Sequence, residues 1–152
     1  IKRTEEQIQL VIVSDEELTR LFSIIESVPG VGRISATEIV ITTNEFKNIH
    51  DARKYACYAG VAPFEHSSGS SIRGKTRISK KANLQVKKRL HMASLVASVH
   101  YEEFRLYYQR KVAEGKNKMC VLNAVRNKLV HRIFACVKEN RLYEKNYDPK
   151  FG

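Results

Sequence analysis

Met119, Leu122, Val125, Leu129, Ile133 and Val137 recur at intervals of three and four residues near the end of the sequence. An α-helix gathers residues so spaced onto one face, whereas a strand would send neighbours to opposite faces. The same period returns at Leu18, Leu21, Phe22 and Ile25. No segment alternates apolar and polar residues in the manner of a half-buried strand. The chain is therefore expected to be all-α: a compact helical domain with a helix-hairpin-helix-like motif, a long Ser/Gly/basic loop and two long C-terminal helices. With 152 residues, 43% of them hydrophobic, it has the size and the apolar content of one packed domain.

Punctuation along the chain divides these stripes. Ser14 followed by Asp15, Glu16 and Glu17 reads as a capping box, with Ser14 as the cap and Glu17 at the third helical position. It predicts a helix from about Asp15 to Ser27. The preceding residues, with Ile8, Val11 and Ile12 at helical spacing, read as the end of another helix. Pro29-Gly30-Val31-Gly32 breaks the pattern, and a short helix with Ile34, Ile39 and Val40 follows. Asp51 opens a further helix that Gly60 closes. A loop runs from Val61 to about Ser79. Ser79 is expected to cap one continuous helix ending at Gly115, and a last helix runs from about Lys118 to Glu139. The opening IKRTEEQIQL reads as the inside of a helix and carries no signal-peptide pattern. The chain is accordingly expected to be a fragment of a longer protein. Residues 1–23 would be a helical linker from an N-terminal domain, 24–143 the main domain and 144–152 an irregular tail.

The net charge of +11 points to a polyanionic partner, nucleic acid before any other. No apolar run reaches the roughly 20 residues that span a bilayer, so no membrane role is expected. Cys57, Cys120 and Cys136 lie far apart, without zinc spacing or a disulfide framework. They fit a reducing cytoplasm, each thiol as a small core residue. The five histidines and the scattered acids form no metal-binding or catalytic cluster, so no metal site is expected in the chain.

Two stretches can carry chemistry. In the first, two short helices meet at Gly30-Val31-Gly32-Arg33, where glycines allow positive φ and close approach. Amides at the start of the second helix can hold a phosphate without reading sequence; an ordinary tight turn is the plainer reading. The second is the stretch from His66 to Tyr101, which holds eight Lys/Arg and no acid: Arg73, Lys75, Arg77, Lys80, Lys81, Lys87, Lys88 and Arg89. Phosphates would satisfy such a block, and binding would weaken steeply with salt; a solvated basic face is the alternative. Tyr101, Phe104, Tyr107 and Tyr108 can stack on bases, although core or subunit packing suits most of them better. Composition alone makes the serine-rich segment from Ser67 to Ser71 a linker.

Together, SVPGVGRISATEIV, YAGVAP, HSSGSSIRGKTRISKKAN and GKNKMCVLNAVRNKLVHRIFACVKENRLY, in that order, resemble the C-terminal domain of the IS110/IS116/IS902 group of insertion-sequence transposases. Family members often carry Gly where Ala82 stands, a departure confined to a helix start. The resemblance implies a serine in a Pro-x-x-x-x-Ser-Gly context that attacks a DNA phosphodiester, which here is Ser68; Ser67, Ser70 and Ser71 are the neighbouring candidates. It also implies Mg²⁺ held by an Asp-Glu-Asp-Asp site in a separate N-terminal domain and action on element ends and target DNA. Homo-oligomers, and a guide-like noncoding RNA that directs target choice, are implied as well. Arg73, Lys75 and Arg77 would steady the phosphate oxygens as charge develops. His66 is the one base near Ser68 in sequence. The rival reading is a non-catalytic helix-hairpin-helix module that binds DNA or RNA.

Overall fold

The computed structural model describes residues 1–62 and 83–146. Within them the chain forms seven helices and no strand. They are α1 (Lys2–Ser14), α2 (Glu16–Ser27), α3 (Arg33–Thr43), α4 (Ala52–Tyr58), α5 (Leu84–His100), α6 (Glu102–Ala113) and α7 (Lys118–Lys138). No described helix is long and apolar enough to cross a membrane.

Helix α7 is the axis of the fold, packed against α2, α4, α5 and α6. Its stripe explains why: Val125, Leu129 and Ile133 are wholly buried. Each such side chain contributes about 1.5–3 kcal/mol on leaving water. Leu90, Ala93 and Ala97 of α5, Phe22 and Ile25 of α2, and Tyr55 of α4 close around it. Phe134 stands 4.9 Å from the Phe46 ring and 5.3 Å from the Tyr55 ring, within the range of favourable aromatic pairing. Burial pushes the Tyr55 hydroxyl pKa up, and that hydroxyl shares a 2.8 Å hydrogen bond with Thr42 Oγ1. The stripe frays at its start, where Met119 is exposed.

Several boundaries differ from those the sequence suggests. The cap of α2 is Asp15, not Ser14: Asp15 is extended and its carboxylate accepts from the Leu18 amide at 3.0 Å. Ser14 is the last residue of α1, its hydroxyl turned back to the Val11 carbonyl. Only Ile12 of the apolar residues on α1 is buried; Ile8 and Val11 are exposed, because α1 packs against α2 alone. The single helix expected up to Gly115 is two. Tyr101 is extended, closing α5 and opening α6. The bend lets Phe104 enter the core while α6 folds back along α7. Glu102 and Glu103 then sit in the first turn of α6, where the helix dipole favours acids. The described start of α5 is capped by Asn83, whose side chain accepts from the Gln85 and Val86 amides; Ser79 lies outside the described residues. Two of the three thiols are not core residues, since Cys57 and Cys120 face solvent and Cys136 alone is buried.

The remaining boundaries match. Asp51 caps α4 by accepting from the Arg53 and Lys54 amides, Gly60 ends it at φ +69°, and Asn117 caps α7. Beyond α7 the chain is irregular as far as it is described, yet pinned: the Tyr143 amide donates to Ser27 Oγ at 2.8 Å and its hydroxyl donates to Glu103. Glu103 also pairs with Arg132, so tail, α6 and α7 share one polar junction.

Candidate nucleic-acid interface

The turn between α2 and α3 is built on Gly30. At φ +80° it occupies the left-handed region, and its Cα lies against α5. A Cβ there would come within 2.2 Å of the Ala93 carbonyl oxygen. Val31 is buried, and its amide is taken by the Val28 carbonyl at 3.1 Å. The first two members of the turn therefore serve packing. Gly32 is different: it is exposed, it begins α3 as an extended N-cap without a side-chain cap bond, and its Cα faces open space. The amides that follow are first-turn donors lacking intrahelical acceptors. Arg33 beside them is half-exposed, tied to Glu26 at 2.8 Å and lying 5.1 Å over the Phe22 ring.

The second region surrounds the ends of segment 63–82. The Asn83 amide donates to the Tyr58 carbonyl at 2.8 Å, and the Asn83 side chain donates to the Tyr58 hydroxyl. On the other side, Asn123 of α7 donates to the Val61 carbonyl at 3.3 Å. The chain thus leaves α4 and re-enters at α5 from one place, beside the N-terminal half of α7. Ser68, Arg73, Lys75, Arg77, Lys80 and Lys81 belong to the segment between these anchors and lie outside the described residues, as do His66 and the other serines.

Of the basic strip, Lys87, Lys88 and Arg89 are described; Arg89 is partly buried, with its Nε lacking a hydrogen-bond partner among the described residues, and Lys87 and Lys88 are the two that border a cleft. They line an open cleft of about 370 Å³ between α5 and α7, together with Leu84, His91, Met119 and Arg126. Arg126 lies one turn along α7 from Asn123. Only 5% of its surface is exposed, and no carboxylate among the described residues pairs with it. One Nη is 2.7 Å from His91 Nδ1, and Nε is buried without a hydrogen-bond partner. Burial lowers the Arg126 pKa; burial first and the Arg126 charge second lower that of His91. A neutral His91 accepting from Arg126 satisfies both.

The aromatic candidates divide as packing demands. Phe104 is core, Tyr101 is exposed, and Tyr107 lies beneath the Lys128 ammonium at 4.7 Å. Sequence reasoning missed His91 and Arg126. The available signal was Arg126 on the apolar side of the α7 stripe, one residue after Val125 and three before Leu129. Among the described residues no three His, Cys, Asp or Glu side chains converge as metal ligands.

The described residues define an all-helical domain with a basic cleft between α5 and α7, and sequence comparison supplies the family. Residues 22–109, more than half the chain, match the family described as Transposase IS116/IS110/IS902 family, and the chain belongs to it. It is 27% identical over 146 residues to the pilin gene-inverting protein of Moraxella bovis, covering 95% of this chain and 45% of that protein. It is 29% identical over 124 residues to an uncharacterized 43.6 kDa protein of insertion element IS110 from Streptomyces coelicolor, covering 82% of this chain and 30% of that one. A probable family 20 transposase of Pseudomonas aeruginosa is 32% identical over 73 residues, 48% of this chain and 20% of its own length. The chain spans less than half the length of these relatives.

Proposed function

We propose that this chain is the DNA-binding, serine-bearing part of a transposase that cuts and rejoins DNA through a covalent phosphoserine link. The observation that carries the reading is the family match, which spans the hairpin, segment 63–82 and α5 without interruption. The name of the Moraxella relative, which speaks of inverting a gene, agrees with a DNA rearrangement. In the proposed reaction the Ser68 Oγ attacks the phosphorus of a backbone phosphodiester. The new O–P bond forms as the bond to one sugar oxygen breaks; the serine proton leaves and the sugar oxygen is released as a hydroxyl. One phosphodiester replaces another, so the link stores what rejoining needs, and attack by a sugar hydroxyl reverses the step.

Cations complete the arrangement. Arg73, Lys75 and Arg77 hold the reacting phosphate, while Lys80, Lys81, Lys87 and Lys88 follow the neighbouring backbone. At the hairpin, Gly32 and Arg33 offer the outward-facing contact to a phosphate, with Gly30 and Val31 shaping the turn that presents them. By resemblance to the family, Mg²⁺ would be held by carboxylates of a separate N-terminal domain, and no step here passes through it. Element ends and target DNA are the proposed substrates. A guide-like noncoding RNA and further copies of the protein are the proposed partners, and the bacterial cytoplasm is the proposed location.

The test uses the longer protein that includes the N-terminal domain. Wild type and Ser68→Ala are incubated with labelled element-end DNA and Mg²⁺, denatured, and resolved for a protein–DNA adduct. The adduct disappears in Ser68→Ala while DNA affinity stays within about twofold, because the substitution removes one hydroxyl and leaves every cation in place. Undiminished adduct would remove Ser68 as nucleophile. No adduct in either protein, with binding intact, would favour the non-catalytic binding module.

A further inference from the structure

The cleft between α5 and α7 combines features that packing alone does not require. A buried cation in a fold is ordinarily matched by an acid, because leaving its charge unpaired away from water is costly. Arg126 is matched instead by a histidine, and its buried Nε has no hydrogen-bond partner among the described residues. Lys87 and Lys88 add two more cations to the same cleft, and no acid lines it among the described residues. Its 370 Å³ is many times the roughly 30 Å³ share of one water. Leu84 and Met119 also line the cleft, which is open to solvent. The one described bond of the Arg126 head group ties α7 to His91 of α5, and removing that head group would strand no acid among the described residues.

We propose that Arg126, Lys87, Lys88 and His91 form a binding site for a single backbone phosphate of a nucleic acid, separate from the phosphate that Ser68 attacks. The proposal deepens the reading of this domain as a nucleic-acid binder and rests on it. The Arg126 guanidinium would donate to one phosphate oxygen from within the cleft, and Lys87 and Lys88 would close over the others from its rim. The position gives the site its use. Asn123, one turn before Arg126, holds the carbonyl of Val61 at the start of segment 63–82, and Asn83 at its end caps the helix that carries Lys87 and Lys88. A phosphate bound here would fix the strand relative to the anchors of the serine segment. It would set register, as backbone contacts do, and would read no sequence.

The test has two arms. In the first, thermal unfolding of the protein is followed in sodium phosphate and in sodium chloride of equal ionic strength. Wild type should gain roughly 2–5 °C in tens of millimolar phosphate, by linkage to the folded state, and the His91 ring resonances should shift on titration. Arg126→Met and Lys87→Gln should lose most of that gain. Arg126→Met should also melt at or above the wild-type temperature in chloride, because it removes an unpaired buried charge. A clear drop there, or a phosphate gain that survives both substitutions, would mean that Arg126 is structural and would overturn the proposal.

In the second arm, affinities for duplex DNA and duplex RNA of equal length are measured against salt. Losing one phosphate contact should weaken binding about tenfold and reduce the salt slope by about one. A loss confined to DNA or to RNA names the source of the phosphate. Unchanged affinity for both in the two variants would overturn the assignment to a backbone phosphate. The adduct assay with Ser68→Ala reads strand chemistry alone, so failure there leaves these two arms standing, and failure here leaves that assay standing.

Discussion

The hairpin turn and the α5–α7 cleft both offer positive groups to an anion, yet they do so in opposite ways. At the hairpin much of the capacity is spent on the fold: Gly30 presses on α5, the Val31 amide is bonded, and Arg33 is paired with Glu26. What remains free is the first turn of α3. In the cleft the cations have no acid partner among the described residues, and the most buried of them, Arg126, keeps an Nε without a hydrogen-bond partner there. The difference teaches that a motif conspicuous in sequence can be mainly architectural, while a buried cation without an acid among the described residues can lie among the core residues of a plain amphipathic helix.

The largest effect that sharpens this contrast is at Gly30. Gly30→Ala would drive a methyl group to within 2.2 Å of the Ala93 carbonyl oxygen and place alanine at φ +80°. Overpacking and backbone strain together should cost about 3–5 kcal/mol, read as a lower urea midpoint. A cost under about 1 kcal/mol would show that the turn does not lean on α5. Next is Asn83→Ala, which removes a helix cap and the bond to the Tyr58 hydroxyl and should cost about 1–2 kcal/mol. Asn117→Ala, a cap on α7 with no link to segment 63–82, should cost about 1 kcal/mol and leave adduct formation unchanged. Asn83→Ala should lower adduct yield as well as stability.

A smaller effect follows from His91. Its pKa is held below the ordinary histidine value by burial and by Arg126, and the charged groups that share its cleft among the described residues, Lys87, Lys88 and Arg126, are all cations. Below pH of about 6.5 the unfolded chain binds a proton that the folded chain resists, so stability should fall as pH drops from there toward the folded pKa. Melting temperature against pH should show this slope in wild type and a shallower one in His91→Gln. Phosphate should flatten the wild-type slope by supplying a counter-charge. The smallest effect is at the hairpin surface. Arg33→Ala breaks a half-exposed pair with Glu26 and should change stability by less than about 1 kcal/mol. A larger loss would make Arg33 part of the scaffold.

The helices were legible because their stripes are local. Leu122, Val125, Leu129 and Ile133 announce α7, and Asp51 and Gly60 bracket α4 through chemistry acting within a few residues. The bend at Tyr101 was not legible, since no proline or glycine marks it; it follows from Phe104 entering the core as α6 turns back along α7. Ser14 and Asp15 show how two adjacent capping residues divide the work according to which one is extended. The candidate site was legible in part. Ser68 comes from a resemblance and the cations near it from an acid-free basic run, and most of them lie outside the described residues. His91 and Arg126 stand 35 residues apart and meet only because α5 packs on α7. No spacing rule could have joined them.

The central claim is that one serine of this chain becomes joined to DNA, and mass spectrometry can locate it. The covalent complex formed by the longer protein on element-end DNA would be isolated, digested with nuclease and protease, and sequenced by fragmentation. The account predicts a residual nucleotide phosphate on Ser68. A nucleotide on Ser67, Ser70 or Ser71, or on a residue outside segment 63–82, would contradict it.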